Sequence, residues 1–234
     1  MSIIRTEHLS RFYQQGPVQI HALMDVNLVI EKGDFAVLAG PSGSGKTTLL
    51  NMIGALDKPS EGKVWLDGHE ITSLSRRQTS RLRRDRIGFV FQFYNLIPVL
   101  TAYENAEFVL LLQGMDHVLR KEKVMALLGK VGLEGLEKRK PYELSGGQQQ
   151  RVAIARALAS DPAVILADEP TANLDSHTEE GLMDLMEDLN REIGTTFLFS
   201  SHDPAVIKRA RRLIVLKDGE ILSDERTGPM SNVQ

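Results

Sequence analysis

Residues 40–47 constrain the fold of this 234-residue chain more than any other segment. They match the pattern G-x-x-x-x-G-K-[ST] and read Gly40, Pro41, Ser42, Gly43, Ser44, Gly45, Lys46, Thr47. A predicted strand at 35–39 precedes them, and a predicted amphipathic helix at 45–55 follows them. This order of strand, loop and helix is typical of a phosphate-binding loop in an α/β domain.

The chemistry of phosphate binding accounts for the residue types in this loop. Glycines let backbone N–H groups turn toward phosphate oxygens, and the N-terminus of the following helix adds partial positive charge. The ammonium group of Lys46 would reach the β- and γ-phosphates of a nucleoside triphosphate, and the hydroxyl of Thr47 would ligate Mg²⁺. The alternative, a glycine-rich turn with a surface lysine, leaves the flanking strand and helix unexplained.

Composition argues against several other classes of protein. The 28 basic and 31 acidic residues give a net charge of −3, so no global positive field points to nucleic acid. There is no cysteine, which excludes disulfides and thiolate metal sites. The apolar runs are far shorter than the roughly 18 residues of a membrane span, and the N-terminus lacks the apolar core of a signal peptide. We therefore expect a cytoplasmic protein.

Short apolar segments alternate with helical patterns, which predicts an α/β fold with a largely parallel sheet. Strands are predicted at 3–7, 24–30, 35–39, 63–66, 87–91, 163–167, 196–200, 212–216 and 220–222. After the first helix, further helices are predicted at 102–112, 118–131, 146–159 and 178–192. The predicted domains are a nucleotide-binding core with a β subdomain (1–92 and 161–222), an inserted helical subdomain (93–160) and a polar tail (223–234).

Two acidic residues, Asp168 and Glu169, directly follow the fully apolar strand predicted at 163–167. Ligands bind at the carboxyl ends of strands in parallel sheets. Asp168 matches the acid that orients Mg²⁺ in P-loop ATPases, mainly through the metal's water shell. The alternative is that one of the two carboxylates only caps the next turn.

A second helix start lies at residues 144–148, which read Leu-Ser-Gly-Gly-Gln. Ser145 is a favourable N-cap residue, and Gly146 and Gly147 open the helix. Exposed N–H groups at this helix end are chemically able to bind another phosphate. One chain therefore carries two candidate anion-binding helix ends, unless the second is an ordinary capped helix.

Residues 144–148 together with the loop at 40–47 resemble the ATP-binding-cassette (ABC) ATPases, and the resemblance covers nearly the whole chain. It implies a P-loop NTPase (RecA-like) core with an antiparallel β edge and an inserted α-helical subdomain. It also implies that two chains enclose two ATP molecules, as a homodimer or with a second ABC ATPase subunit. Ser145, Gly146, Gly147 and Gln148 of one chain would then contact the γ-phosphate held by the other. Hydrolysis would remove these contacts and open the dimer.

The same resemblance implies roles for four residues outside these motifs. Thr48 would also bond phosphate, and Glu169 would be the general base that polarises the attacking water. Gln92 would contact Mg²⁺ or the water and sense the membrane partner, and His202 would bond the γ-phosphate. ATP and Mg²⁺ are the cofactors that this set of residues implies.

Two further assignments keep an alternative. Tyr13 matches the aromatic residue that stacks on adenine in the family, and Phe12 is the competing candidate. Asp175 matches the acid that communicates between the two nucleotide sites, or it only caps the helix that begins near Ser176. Ala172 departs from the family, which often has glycine at that position.

Residues 87–98 and 100–105 resemble one branch of the family, which includes lipoprotein-release, macrolide-export and cell-division ATPases. This branch implies integral membrane transporter subunits as partners and envelope-type export or lipid extraction as the work done. Phe93, Tyr94, Leu96 and Ile97 are candidates for the surface that holds the partner, or they pack in the helical subdomain.

The main alternative is an ABC ATPase that acts on nucleic acid or ribosomes. Such relatives carry coiled coils, tandem cassettes or zinc cysteines, and none is present in the sequence. The arginines between Arg76 and Arg86 could bind nucleic acid or anionic lipid, but without interleaved aromatic residues they are more typical of a solvated helix face. A P-loop kinase gives no role to Ser145, and a nucleotide-gated adaptor gives none to Glu169.

Overall fold

The structure is a computed structural model that describes residues 1–226. The strands are β1 Ser2–Gln15, β2 Val18–Glu31, β3 Phe35–Ala39, β4 Glu61–Leu66, β5 His69–Glu70, β6 Ile87–Phe91, β7 Val164–Asp168, β8 Thr196–Ser201, β9 Arg212–Lys217 and β10 Glu220–Arg226. The helices are α1 Lys46–Ile53, α2 Arg76–Arg86, α3 Ala102–Leu112, α4 His117–Lys130, α5 Gly146–Leu158, α6 Ser176–Ile193 and α7 Pro204–Lys208, with a 3₁₀ turn at Pro141–Glu143. The chain divides into two compact units: the first is Met1–Thr79 with the described residues from Thr196 on, and the second is Ser80–Thr195.

A long antiparallel hairpin forms one sheet of the first unit. β1 pairs with β2 on one edge and with β4 on the other, and β4 pairs with β5. The ladder shifts register around His8 and Asp25, whose φ angles are 48° and 50°. The strands predicted at 3–7 and 24–30 are present but continue through these bulges. Most of the added residues are exposed and are held by backbone pairing between the two strands, so they contribute little to the core.

The second sheet of the first unit leads into the phosphate-binding loop. All residues of β3 are buried, and β3 runs parallel to both β8 and β9, while β10 is antiparallel to β9. A strand with neighbours on both sides and apolar cover on both faces needs a continuous apolar sequence, as Phe35–Ala39 has. Ala39 lies opposite Ser201, so Gly40 and His202 leave the sheet at the same edge.

A network of charged side chains lies at the end of this sheet that is opposite the phosphate-binding loop. Asp34 and Arg212 are 8% and 7% exposed. Arg212 donates to Asp34 Oδ2 at 2.8 Å and, through Nε and Nη2, to Asp224 at 2.8 and 2.6 Å. Arg226 Nη1 donates to Asp34 Oδ1 at 2.9 Å. Removing one member of such a buried network leaves another charge without its partner.

The variant Asp34→Asn tests the energy of this network. It keeps the side-chain shape but removes the charge, and because Arg212 retains Asp224, we expect the free energy of unfolding to fall by about 2 kcal/mol. Urea denaturation measures this change. Glu7→Gln is the control, since Glu7 forms an exposed pair with Arg5 at 2.9 Å and its loss should cost less than about 0.5 kcal/mol. Equal losses in the two variants would contradict this account.

The second unit combines two parallel strands with packed helices. β6 and β7 pair in parallel, with Phe91 opposite Asp168, so residues 92 and 169 follow at the same edge. α3, α4 and α5 pack together through buried apolar residues, among them Leu110 and Leu128. Side-chain caps fix where three of these helices begin: Thr101 for α3, Asp116 for α4 and Ser145 for α5.

Several boundaries differ from the sequence predictions. The predicted domain boundaries lie where strands give way to helices in the sequence, whereas the two compact units meet at 79/80 and 195/196. The predicted domain division stays a prediction. The predicted tail at 223–234 starts too early, because β10 continues to Arg226 and pairs there with Arg212. Residues 227–234 lie outside the described residues. The basic run forms helix α2, which has no buried residue, in agreement with a solvated helix face.

Candidate nucleotide-binding site

The phosphate-binding loop follows β3 and ends at α1 in the first unit. Two of its glycines are sterically required. A Cβ at Gly40 would lie 2.1 Å from the Leu216 carbonyl oxygen, and one at Gly45 would lie 2.6 Å from the Ala22 carbonyl oxygen. Both residues also have positive φ, 149° and 105°. The loop therefore depends on glycine at these two positions.

The loop and the start of α1 have the groups that bind a phosphate chain. Gly45 is the N-cap of α1, and no side chain within residues 1–226 caps this helix. Lys46 is 6% exposed and donates from Nζ to the carbonyl oxygens of Gly40 and Pro41, at 2.7 and 3.0 Å. The Ser44 hydroxyl is buried without a hydrogen-bond partner among the described residues. An uncapped helix start, a buried ammonium and an unpartnered hydroxyl fit an anionic ligand.

The two aromatic candidates for the base contact differ in their surroundings. The Phe12 ring packs against the His21 ring, with centroids 4.7 Å apart. Tyr13 is 38% exposed, and the Arg11 guanidinium lies over its ring at 4.5 Å from the centroid. Of the two rings, Tyr13 is the more exposed and therefore the better candidate for stacking.

His202 follows β8 in the same unit and is exposed. The β3–β8 register brings it to the sheet edge from which the phosphate-binding loop emerges. Pairing of Ala39 with Ser201 thus places the predicted γ-phosphate contact near the predicted phosphate site, within one unit. Its role stays a prediction.

In the second unit, three predicted residues leave the sheet at one edge. Asp168 ends β7, Glu169 follows it, and Gln92 follows β6 directly opposite. Glu169 has a φ of 45°, a left-handed conformation that costs a non-glycine residue about 1–3 kcal/mol and is common at functional sites. Strain of this kind is consistent with a side chain held in a required direction.

No group of three or more His, Asp or Glu residues among the described ones could hold a metal by itself. Mg²⁺ usually takes one or two carboxylates and completes its coordination with water and substrate phosphates. The hydroxyl of Thr47, the carboxylate of Asp168 and the amide oxygen of Gln92 each suit this ion chemically. All three remain predicted ligands.

The start of α5 is a complete capping box. Ser145 Oγ accepts from the Gln148 N–H at 3.3 Å, and Gln148 Oε1 accepts from the Ser145 N–H at 2.9 Å. Ser145 is exposed on the second unit. A Cβ at Gly146 would lie 2.7 Å from the Tyr94 hydroxyl, and one at Gly147 would lie 2.3 Å from the Thr178 methyl group. The two glycines therefore let the side chains of Tyr94 and Thr178 pack closely against the start of α5.

Asp175 caps α6, which is one of the two roles predicted for it from the sequence. Its carboxylate accepts from the Thr178 N–H at 3.0 Å and from the Thr178 hydroxyl at 2.7 Å. These hydrogen bonds, the hydroxyl bond first, lower the pKa of Asp175. Communication between nucleotide sites stays a prediction for this residue.

Three polar residues that the sequence analysis did not select connect these segments within the second unit. Gln150 is fully buried and donates to the Pro170 carbonyl at 2.7 Å. Asn173 donates to the Gln92 carbonyl at 2.9 Å, and Arg156 donates to the Tyr94 carbonyl at 2.9 Å. Only Gln150 gave a signal in the sequence, since it is a polar residue on the apolar face of α5.

A groove of about 180 Å³ lies beside the segment that follows Gln92. Phe89, Phe91, Val109 and Arg156 line it, and burial lowers the pKa of Arg156. Of the predicted partner-contact residues, Phe93 is 73% exposed, whereas Tyr94, Leu96 and Ile97 are half-buried. The exposure of Phe93 thus fits an accessible surface, whereas the other three residues are partly covered, as internal packing predicts.

Comparison with known proteins identifies the class. The ABC transporter family model matches residues 23–172, and the chain belongs to this family. The predicted ABC ATPase fold is confirmed, and so is the prediction of an ATP-binding, ATP-hydrolysing transporter subunit.

Two curated relatives are close to this chain in length. It is 47% identical over 228 residues to the uncharacterized ABC transporter ATP-binding protein MJ0796 of Methanocaldococcus jannaschii, covering 96% of this chain and 97% of that protein. It is 42% identical over 219 residues to the lipoprotein-releasing system ATP-binding protein LolD of Bordetella avium, covering 94% of this chain. It covers 95% of the LolD protein.

Two further comparisons bear on the branch and on assembly. This chain is also 45% identical to the macrolide export ATP-binding/permease protein MacB of Mannheimia succiniciproducens, over 99% of its own length. It spans only 36% of the length of MacB. A dimeric structure of MJ0796 superposes with a TM-score of 0.89 at 46% identity, covering 97% of this chain and all of that one. These relatives agree with the predicted branch.

Within residues 1–226, no helix has the length and apolar character needed to cross a bilayer.

Proposed function

We propose that two copies of this chain, or one copy and a second ABC ATPase subunit, close around two Mg-ATP and open after hydrolysis to drive a membrane transporter. The observation that carries this proposal is the presence of two anion-binding helix starts in one chain. One is the uncapped start of α1 behind the phosphate-binding loop, and the other is the exposed start of α5 at Ser145. A single nucleotide needs only the first, so the second is available to a nucleotide held by another chain.

In this proposal the two helix ends have different tasks. The loop at 40–47 with Lys46 and Thr48 holds the triphosphate of its own chain. Residues 145–148 contact the γ-phosphate held by the partner, through charge-assisted hydrogen bonds of about 1.5–3 kcal/mol each. Because these bonds require the γ-phosphate, hydrolysis weakens the dimer. The relative MJ0796 is known as a dimer in a post-hydrolysis state with ADP and Pi, which supports hydrolysis within a dimer.

Catalysis is assigned to residues at the ends of β6, β7 and β8. Glu169 accepts a proton from the attacking water, while Gln92 and His202 orient the water and the γ-phosphate. Mg²⁺, when bound, neutralises phosphate charge, with Thr47, Asp168 and Gln92 as its proposed protein ligands. Asn173 holds the backbone of Gln92 and thereby fixes where its side chain begins.

The partner is proposed to be an integral membrane subunit of an envelope-type exporter or lipid-extraction system, which places the chain at the cytoplasmic face of the membrane. LolD belongs to a lipoprotein-releasing system, and MacB combines an ATP-binding part with a permease. The groove beside Phe89 and Phe91, with Phe93 exposed next to it, is the proposed contact surface. The alternative substrate, nucleic acid, is disfavoured because α2 has arginines without stacking aromatic residues.

The variant Phe93→Asp tests the membrane partner. A charge on this exposed ring position should leave the basal ATPase rate within about twofold but reduce recovery with the co-expressed membrane subunit by tenfold or more, as expected for a buried hot-spot aromatic residue. The measurement is affinity purification from detergent-solubilised membranes, followed by phosphate release. Leu222→Asp is the control, because Leu222 is also exposed, at 61%, and lies on β10. Stimulation of turnover by DNA or ribosomes instead of the membrane subunit would favour the alternative function.

A further inference from the structure

Three side chains of the first unit form a cluster around the proposed base contact. The Arg11 guanidinium lies 4.5 Å from the centroid of the Tyr13 ring. Arg11 Nη2 lies 2.7 Å from Asp57 Oδ2, and the Tyr13 hydroxyl donates to the same oxygen at 3.2 Å. Asp57 thus fixes both the phenol and the cation that covers one face of its ring.

Asp57 also links the cluster to the helix that follows the phosphate-binding loop. The N–H groups of Leu56 and Asp57 donate to the Asn51 carbonyl of α1, at 2.9 and 3.3 Å. The same loop is hydrogen-bonded to β1, since the Ser60 N–H donates to the Ser10 carbonyl at 2.9 Å and the Phe12 N–H donates to Ser60 Oγ at 3.0 Å. A short path of hydrogen bonds therefore joins the Tyr13 ring to α1.

We propose that Arg11 and Asp57 are positioning residues that hold the Tyr13 ring as a preformed stacking surface for the nucleotide base, at a fixed distance from α1. This inference rests on the proposed contact of Tyr13 with adenine. With one ring face covered by the guanidinium, only the other face can receive a base. Fixing the ring before binding removes the conformational entropy that an exposed side chain would otherwise lose on stacking.

Two observations favour positioning over a purely structural ion pair. The Arg11 Nε is buried without a hydrogen-bond partner among the described residues, so the guanidinium is not placed to satisfy all its donors. The neighbouring aromatic ring of Phe12 is engaged with His21 and has no such cation over it among the described residues. The cation and the carboxylate are arranged around the ring that is exposed.

The test is the variant Arg11→Met, which keeps an apolar stem but removes the cation. ADP and pyrophosphate are the probes, because they share the diphosphate and only ADP offers a base. By isothermal titration calorimetry on the full chain, Arg11→Met should weaken ADP binding about three- to tenfold and leave pyrophosphate binding unchanged. Asp57→Asn, which keeps its volume, should act in the same direction, and it serves if Arg11→Met does not fold.

Arg5→Met is the matched control, because Arg5 is on the same strand as Arg11 and its guanidinium also lies over an aromatic ring, 4.1 Å from the centroid of Trp65. This variant should not change ADP binding. Combining Arg11→Met with Tyr13→Ala should add no further loss to that of Tyr13→Ala alone. Additive losses, or equal weakening of ADP and pyrophosphate, would overturn the positioning role while Tyr13 keeps its base contact. Unchanged ADP affinity in Tyr13→Ala would instead remove the base contact itself, and the inference with it.

Discussion

Replacing Glu169 by glutamine is expected to lower the rate of phosphate release about 10²- to 10⁴-fold, the usual contribution of a positioned general base. The amide has nearly the same shape as the carboxylate but cannot accept the proton of the attacking water. Nucleotide binding is assigned to the loop at 40–47, which this substitution leaves unaltered, so it should not change. ATP should therefore stay intact, and the dimer should persist in saturating Mg-ATP.

Phosphate release and size-exclusion chromatography with light scattering measure the two parts of this result. Glu134→Gln is the charge-matched control, because Glu134 is also in the second unit but is exposed and distant in sequence from β7. It should hydrolyse ATP at the normal rate and show no trapped dimer. A monomeric Glu169→Gln protein at saturating Mg-ATP would contradict the proposed two-chain enclosure. Normal turnover would show that Glu169 is not the base.

The sequence predicted the elements that have a strong local signal. β3 and β6 match their predicted bounds because each is a short, largely apolar run, and α5 was found from its Ser145 cap. α2 was predicted only as a solvated helix face without bounds, since its eleven residues have almost no apolar members and give no periodic pattern. The distal ends of β1 and β2 were missed for a different reason: apolar residues such as Val18 and Ile20 alternate there with polar ones, but most of these residues are exposed and add little to the core.

The site was predicted in its motifs but not in its internal connections. Gly40 to Thr47 and Leu144 to Gln148 are contiguous in sequence, so the first could be predicted from its spacing and the second from its resemblance to the ABC ATPases. The bonds from Gln150 to Pro170, from Asn173 to Gln92 and from Arg11 to Asp57 join residues that are distant in the chain. A single sequence does not encode such pairs in any local pattern, and only the folded chain brings them together.

Replacing Ser145 by arginine is expected to abolish both ATP-dependent dimerisation and turnover. Ser145 is exposed at the start of α5, so a long cationic side chain fits on the single chain but occupies the space in front of the helix N–H groups. Loss of the cap should cost only about 0.5–2 kcal/mol of stability. ADP binding should remain within about twofold of normal, because residues 145–148 are proposed to contact the partner's nucleotide while the loop at 40–47 holds the chain's own.

The variant Ser145→Ala separates capping from access to the second anion site. It loses the Oγ that accepts the Gln148 N–H but leaves the helix end open, so it should lose the same cap energy and retain dimerisation and part of the turnover. The fraction of dimer is best measured in the Glu169→Gln background, where ATP hydrolysis is expected to be slow. Because that background should trap a dimer on its own, a monomer in Glu169→Gln with Ser145→Arg assigns the loss to α5. A dimer with full phosphate release in the Ser145→Arg protein would mean that the start of α5 does not contact a partner's nucleotide.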